Sequence, residues 1–309
     1  MISRRNIRVK VMQTLYTIET LENEVKPEEP RKILQKHLDR SGDLLVYMVY
    51  FLTEVARYVE TYSLKRASKH LTTAEDLNIN TKLAGNEILW KILEDESFKS
   101  AVEKQKPHLI EGTSDFVKKI FYSLLDTPEY GQYIATPSRE KKEEKAILEF
   151  IFTHLMLPNG AFVSHIEEQF PNWDDDAEMI LLLVNNFLQK PAGFNFNEFI
   201  SQEKYSFAMD LLRTVIGKKD HTLNLIKPKL KNWDADRIAV LDLILIQMGI
   251  CEFLYFETIP PKVTINEYID LAKDYSTPQS GQFINGILDN IHKELDSQKK
   301  LHKINFRQG

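Results

Sequence analysis

The chain has 309 residues, 43% hydrophobic and 28% charged, an ordinary balance for a folded globular protein of one large or two modest domains. A formal net charge of −5 excludes an indiscriminate coat for nucleic acid, so polyanion binding would need a local basic patch. One cysteine, Cys251, excludes an internal disulfide framework and a thiolate metal cluster, and fits a reducing cytosol. The first residues carry charge where a secretory leader would be apolar, so a cytoplasmic protein is expected. In the first predicted helix Ile7, Val11, Thr14, Leu15 and Ile18 share a face, and Arg4, Arg5, Arg8 and Lys10 lie elsewhere. Cations at a helix start oppose the macrodipole, so something else favours them, and a polyanion is the natural candidate. Guanidinium forks suit phosphate oxygens because they donate two parallel hydrogen bonds.

The short run from Pro27 to Pro30 is predicted to close this first unit. A second helical stretch runs through Leu44, Val46, Tyr47, Tyr50, Phe51, Val55 and Tyr58. Thr72 to Asn80 is polar and reads as a loop, and helices resume near Asn86 and Thr113. Leu125 to Ser138 is an internal break, with Ser138 as N-cap of a helix whose mixed charges form a solvated face. Beyond it Asn172-Trp173-Asp174 recurs as Asn232-Trp233-Asp234, sixty positions later. At the same offset Phe152 matches Leu212, Ile166 matches Ile226, Phe170 matches Leu230 and Leu181 matches Leu241. Residues 140–190 therefore read as a degenerate copy of 203–245, with Ala177 and Leu182 standing where Arg237 and Asp242 occur.

Ile238 to Ile250 is the longest apolar run, broken by Asp242 and Gln247; it is too short for a bilayer and reads as a core helix. Asp242 within it is first of all a satisfied structural carboxylate, with Arg237 a candidate ion-pair partner. Pro260-Pro261 fixes the next turn, and Ile265, Tyr268, Ile269 and Ala272 make a core stripe. Ser276 to Ser280 forms a loop leading into a last helix, whose free N-terminal amides can take an anion. Tyr275 and Phe283 flank that loop and can stack unpaired bases or fill core, Phe283 being balanced between the two. The basic tail after Lys299, with Lys300, Lys303 and Arg307, reads as a frayed terminus. No strand-period run survives, so the class is all-α.

Local enzymatic signatures do not occur. There is no His-Glu-x-x-His pair for zinc, no glycine-rich phosphate loop and no Gly-x-Ser-x-Gly elbow. Cys251 sits in the most apolar helix, where a thiolate is disfavoured. Asp174, Asp175 and Asp176 read as an acidic helix start and not a metal site. Neither catalytic residues, nor a metal, nor a cofactor is expected.

The arginine-rich start and the pattern from Asn232 to Leu295, three helices joined by Thr258-to-Glu267 and Tyr275-to-Ser280 connectors, resemble the NusB family of transcription antitermination factors. The resemblance covers residues 1 to about 20 and about 200 to 295. It implies an all-α NusB-like helical bundle that binds boxA RNA with NusE, a small-subunit ribosomal protein. Within the RNA polymerase antitermination complex the pair would promote read-through of ribosomal RNA operons. It further implies RNA contacts by Arg4, Arg5, Arg8, Lys10, Tyr275, Gln279, Gln282 and Phe283, and partner contacts by Tyr16 and Asp242. Gln282 replaces a position often basic in the family, which puts one phosphate contact in doubt. Gln279 replaces an acid and should repel RNA less.

The implied layout is a first helix over 1–22, a helical insertion over 23–137, the possible repeat over 138–200, NusB-like helices over 201–296 and a tail over 297–309. Two other readings stay open: a non-catalytic interaction scaffold carried by the insertion, and a NusB-like domain associated with an RNA methyltransferase. The latter would need a doubly wound sheet and a glycine-rich cofactor loop.

Overall fold

Ser3 starts the first helix by accepting the Asn6 amide at 3.1 Å, and α1 then runs from Arg4 to Thr20. The computed structural model describes residues 2–21, 26–191, 193–230 and 238–304, and all regular structure among them is helical. The protein is all-α.

The chain folds as two compact units, residues 39–199 and residues 2–38 with 200–309. The long helix α2, Glu29–Ala67, passes through the division. Pro30 lies in its first turn, so the prolines expected to close a unit instead help to open a helix. Proline is tolerated there because a first-turn amide has no intrahelical acceptor.

In the 39–199 unit, Leu44 to Val49 of α2 are all buried, so this stretch has apolar neighbours on every side. The unit continues with α3 (Ala74–Leu77), α4 (Glu87–Glu94), α5 (Glu96–Gln105), α6 (Thr113–Leu125) and α7 (Pro128–Ala135). They are followed by α8 (Lys141–Phe150), α9 (Gly160–Gln169) and α10 (Trp173–Gln189). Asn86 caps α4 as its position predicts, accepting the Ile88 and Leu89 amides. The predicted loop at 72–80 contains the short α3, which a Thr73–Asp76 capping box stabilises.

The expected break at 125–138 contains α7, with Thr127 as cap and Pro128 at its first position. Glu140, and not Ser138, precedes α8. α8 packs on α4, α7 and α10. The predicted segments 23–137 and 138–200 are therefore mostly folded into one core. Past Phe150 the α8 backbone widens into a π-helix from Ile151 to Met156. Several buried polar groups in this core are matched: the Tyr47 hydroxyl lies 3.0 Å from both Thr113 Oγ1 and His165 Nε2, and Ser41 and Asn172 donate to Asp176.

The other unit is built on α13, Val240–Tyr255, whose residues from Ile244 to Phe253 are all buried. α1, α11 (Gln202–Gly217), α12 (Lys219–Ile226), α14 (Pro261–Tyr275) and α15 (Ser280–Ser297) all pack on it. An apolar helix needs that many partners, and the predicted core role of this segment follows from it. Gly249 lets α15 come close, since a Cβ there would meet the Leu288 methyls at 2.9 and 3.0 Å.

The sixty-residue offset carries α8 and its π-helical end, 141–156, onto 201–216, and α11 occupies 202–217. It carries α9, 160–169, onto 220–229, where α12 and a 3-10 turn run from 219 to 229. The recurring tripeptide at Asn232–Asp234 and Arg237 lie outside the described residues. Among the described residues no single helix is long and apolar enough to cross a membrane; α8 with its π end and α9 pass only as a pair bent by 84°.

Candidate nucleic-acid interface

The 2–38 and 200–309 unit holds every residue singled out for RNA, and it splits them into two groups. Periodicity explains the split: α1 lies against α11 and α13, so a helix face is interior whatever charges it carries.

Arg8 and Lys10, read as phosphate contacts, are interior residues with 3% and 1% exposure. Arg8 donates Nε to Glu252 Oε1 at 2.7 Å and Nη2 to Oε2 at 3.1 Å, and Nη1 reaches Glu267 Oε2 at 3.2 Å. Thr264 and Tyr268 donate their hydroxyls to the same Glu252 carboxylate at 3.0 and 2.8 Å. Burial alone would disfavour the Arg8 charge, but the hydrogen bonds and charge of Glu252 outweigh it and raise its pKa. Burial, with Glu252 beside it, pushes the Tyr268 phenol well above its usual range, so it serves as a neutral donor. This guanidinium is committed to an internal acid. The correction at both positions has one cause, the packing of α1 against α13.

Arg4 and Arg5 stay at the surface, with 46% and 38% of each side chain exposed. Arg4 pairs with Glu203 at 3.2 Å and lies over the Phe207 ring, 5.6 Å from its centroid. Arg5 pairs with Asp274 at 2.6 Å, which brings the basic helix start beside Tyr275 at the end of α14. Tyr275 and Phe283 are both partly buried, and Gln279 and Gln282 are exposed around the start of α15.

Asp242, read as a partner contact, is 6% exposed and accepts the Ser276 and Ser280 hydroxyls at 2.7 and 2.8 Å. Ser280 also accepts the Thr277 amide at 3.3 Å. Asp242 therefore fixes the 276–280 loop from below. Its carboxylate faces inward, as the structural reading of this residue expects. Tyr16 is 45% exposed.

Three features lie beyond the sequence reading. Glu252 has a signal in the sequence, as one of two acids, with Asp242, in an apolar helix. Glu203 and Asp274 have none, because their pairing with the first helix spans about two hundred residues or more. Lys303, in the tail expected to fray, donates to the Glu252 and Phe256 carbonyls, both at 2.7 Å, and so caps the end of α13.

Burial raises the Cys251 thiol to about 12, so it stays protonated and is no nucleophile. Among the described residues no group of His, Cys, Asp and Glu is arranged to hold a metal ion.

The NusB family profile matches residues 176–293, from within α10 to the last turn but one of α15. It begins earlier than the predicted boundary near 200 and does not reach the first helix. The transcription antitermination protein NusB of Salinibacter ruber is 41% identical over 97 residues, 31% of this chain and 61% of that protein. The protein of the same name from Finegoldia magna is 41% identical over 98 residues, 32% of this chain and 72% of that protein. That of Chloroherpeton thalassium is 40% identical over 97 residues, 31% of this chain and 46% of that protein. The match thus spans about half to three quarters of these relatives. No solved structure gives a significant match.

Proposed function

The chain belongs to the NusB family, and from that premise we propose that it is a non-catalytic transcription antitermination factor that binds boxA-type single-stranded RNA together with NusE. In this reading it acts in the cytoplasm within the RNA polymerase antitermination complex and favours read-through of ribosomal RNA operons.

The observation that carries the reading is the meeting of Arg5 with the end of α14 through Asp274, beside Tyr275 and the loop that Asp242 holds. Unpaired RNA bases need flat faces to stack on, and their phosphates need cations a short distance away. Arg4 and Arg5 supply the cations, Tyr275 and Phe283 the rings, and Gln279 and Gln282 exposed amides at the start of α15. Arg8 and Lys10 support this surface from within and touch no RNA. Tyr16 is the exposed residue to which we assign a partner contact; Asp242 acts on the loop.

The test is a titration of the full chain with boxA RNA at several salt concentrations, with and without NusE. Removing Arg4 and Arg5 together should flatten the logarithmic salt slope by about 0.7 for each phosphate no longer neutralised. Replacing Tyr275 by Ala should weaken binding by about 1–3 kcal/mol without altering that slope. An Arg4→Ala/Arg5→Ala chain with unchanged affinity and slope would refute the assignment.

A further inference from the structure

The 39–199 unit contains a cleft of about 730 Å³ between α7, α8, the π-helix and α10, within the usual size of small-ligand sites. Its lining includes three carboxylates, Glu129, Glu143 and Glu149, and no lysine or arginine. π-helical turns are rare and are frequent at functional sites. This one begins next to Phe150, which stacks on His154 with ring centroids 5.1 Å apart and planes 13° from parallel, so the cleft has a flat apolar wall.

The polar chemistry of the cleft is incomplete. Glu149 accepts the Gln189 amide, and Lys145 at the cleft's edge donates to the Gln189 carbonyl. Glu143 Oε2 is shielded from solvent and has no hydrogen-bond partner among the described residues. A buried acceptor left unmatched is costly, and a donor arriving with a ligand would remove that cost. The carboxylates are not grouped closely enough to hold one metal ion. Separated acids with apolar surface between them match a ligand with separated ammonium groups joined by methylenes.

We propose that this cleft binds an aliphatic polyamine. Ammonium groups pair with Glu143 and Glu129, and the methylene chain lies along Phe150 and Ile147. Pairing an ammonium with a carboxylate gives a charge-assisted hydrogen bond, and the aromatic face adds attraction for the cation.

The probe is spermidine, titrated calorimetrically into the full chain at near-physiological salt, with Mg²⁺ as a compact dication for comparison. Saturable one-to-one binding is expected, weakened about tenfold by Glu143→Gln and abolished by Ala146→Trp, which fills the cleft from an exposed position. Circular dichroism and Tm of both variants should match the parent. Four results would overturn the proposal: no saturable heat, equal uptake of Mg²⁺, parental affinity in both variants, or binding of a lysine-rich peptide without binding of the free amine.

Discussion

Arg8 is the residue at which charge and location disagree most. Its guanidinium is shared between Glu252 and Glu267 in an interior that excludes water, and removing it strands a buried carboxylate. Arg8→Ala should cost about 3–5 kcal/mol of stability, read as a lower urea midpoint. Arg4→Ala, which breaks an exposed pair, should cost no more than about 1 kcal/mol. An Arg8→Met/Glu252→Gln double variant should recover part of the loss, because no unpaired charge is left inside. In the proposed complex, Asp274 competes with RNA for Arg5. Asp274→Asn should therefore tighten boxA binding by about two- to fivefold at low salt, and weaker binding in a fluorescence anisotropy titration would count against a phosphate role for Arg5.

At the scale of elements, two contacts decide how the last three helices meet. Gly249 sits where α13 and α15 approach, with Leu288 methyls and the Tyr268 ring around the place of a Cβ. Tyr268 is pinned by its bond to Glu252 and cannot give way easily. Gly249→Ala should lower stability by about 1–2 kcal/mol in a thermal melt, overpacking outweighing the better helix propensity of alanine. Asp242 does the equivalent work for the α14–α15 connection. Asp242→Ala should cost about 1–3 kcal/mol and speed amide exchange at residues 276–280, with a loss of RNA affinity that follows the loosened loop.

At the scale of the whole molecule, one group in each unit, Asp76 and Lys303, titrates at opposite ends of the pH range. In the 39–199 unit the Thr73 amide, Lys69 and Arg66 hold the Asp76 carboxyl down to about 2, against an ordinary 3.8. The unfolded chain binds this proton first, so the contribution is full above about pH 4 and is lost as pH falls towards 2. In the other unit burial lowers Lys303 to about 8 from an ordinary 10.5, and here the sign is opposite to that of a paired lysine. The unfolded chain holds the extra proton between those values, so stability should rise as pH climbs from 8 to 10.5. Urea midpoints measured against pH should lose the acid limb in Asp76→Asn and the alkaline rise in Lys303→Met, each without affecting the other.

How much of this is legible in the sequence follows from the range over which each force acts. Helical period, caps and punctuation are local, so α1, α4, α6, α13 and the start of α15 can be read from neighbouring residues; so can the family pattern of the last three helices. α7 escapes such a reading because a proline and a glycine look like a break, although proline at a first helical position favours a start. Sequence by itself determined the helical class, the arginine-rich start and the two rings flanking the 276–280 loop. Only the tertiary structure decided which of the four cations face solvent. The partners that decide it, Glu203, Glu252, Glu267 and Asp274, lie some two hundred residues or more along the chain, and packing on α13 brings them to α1.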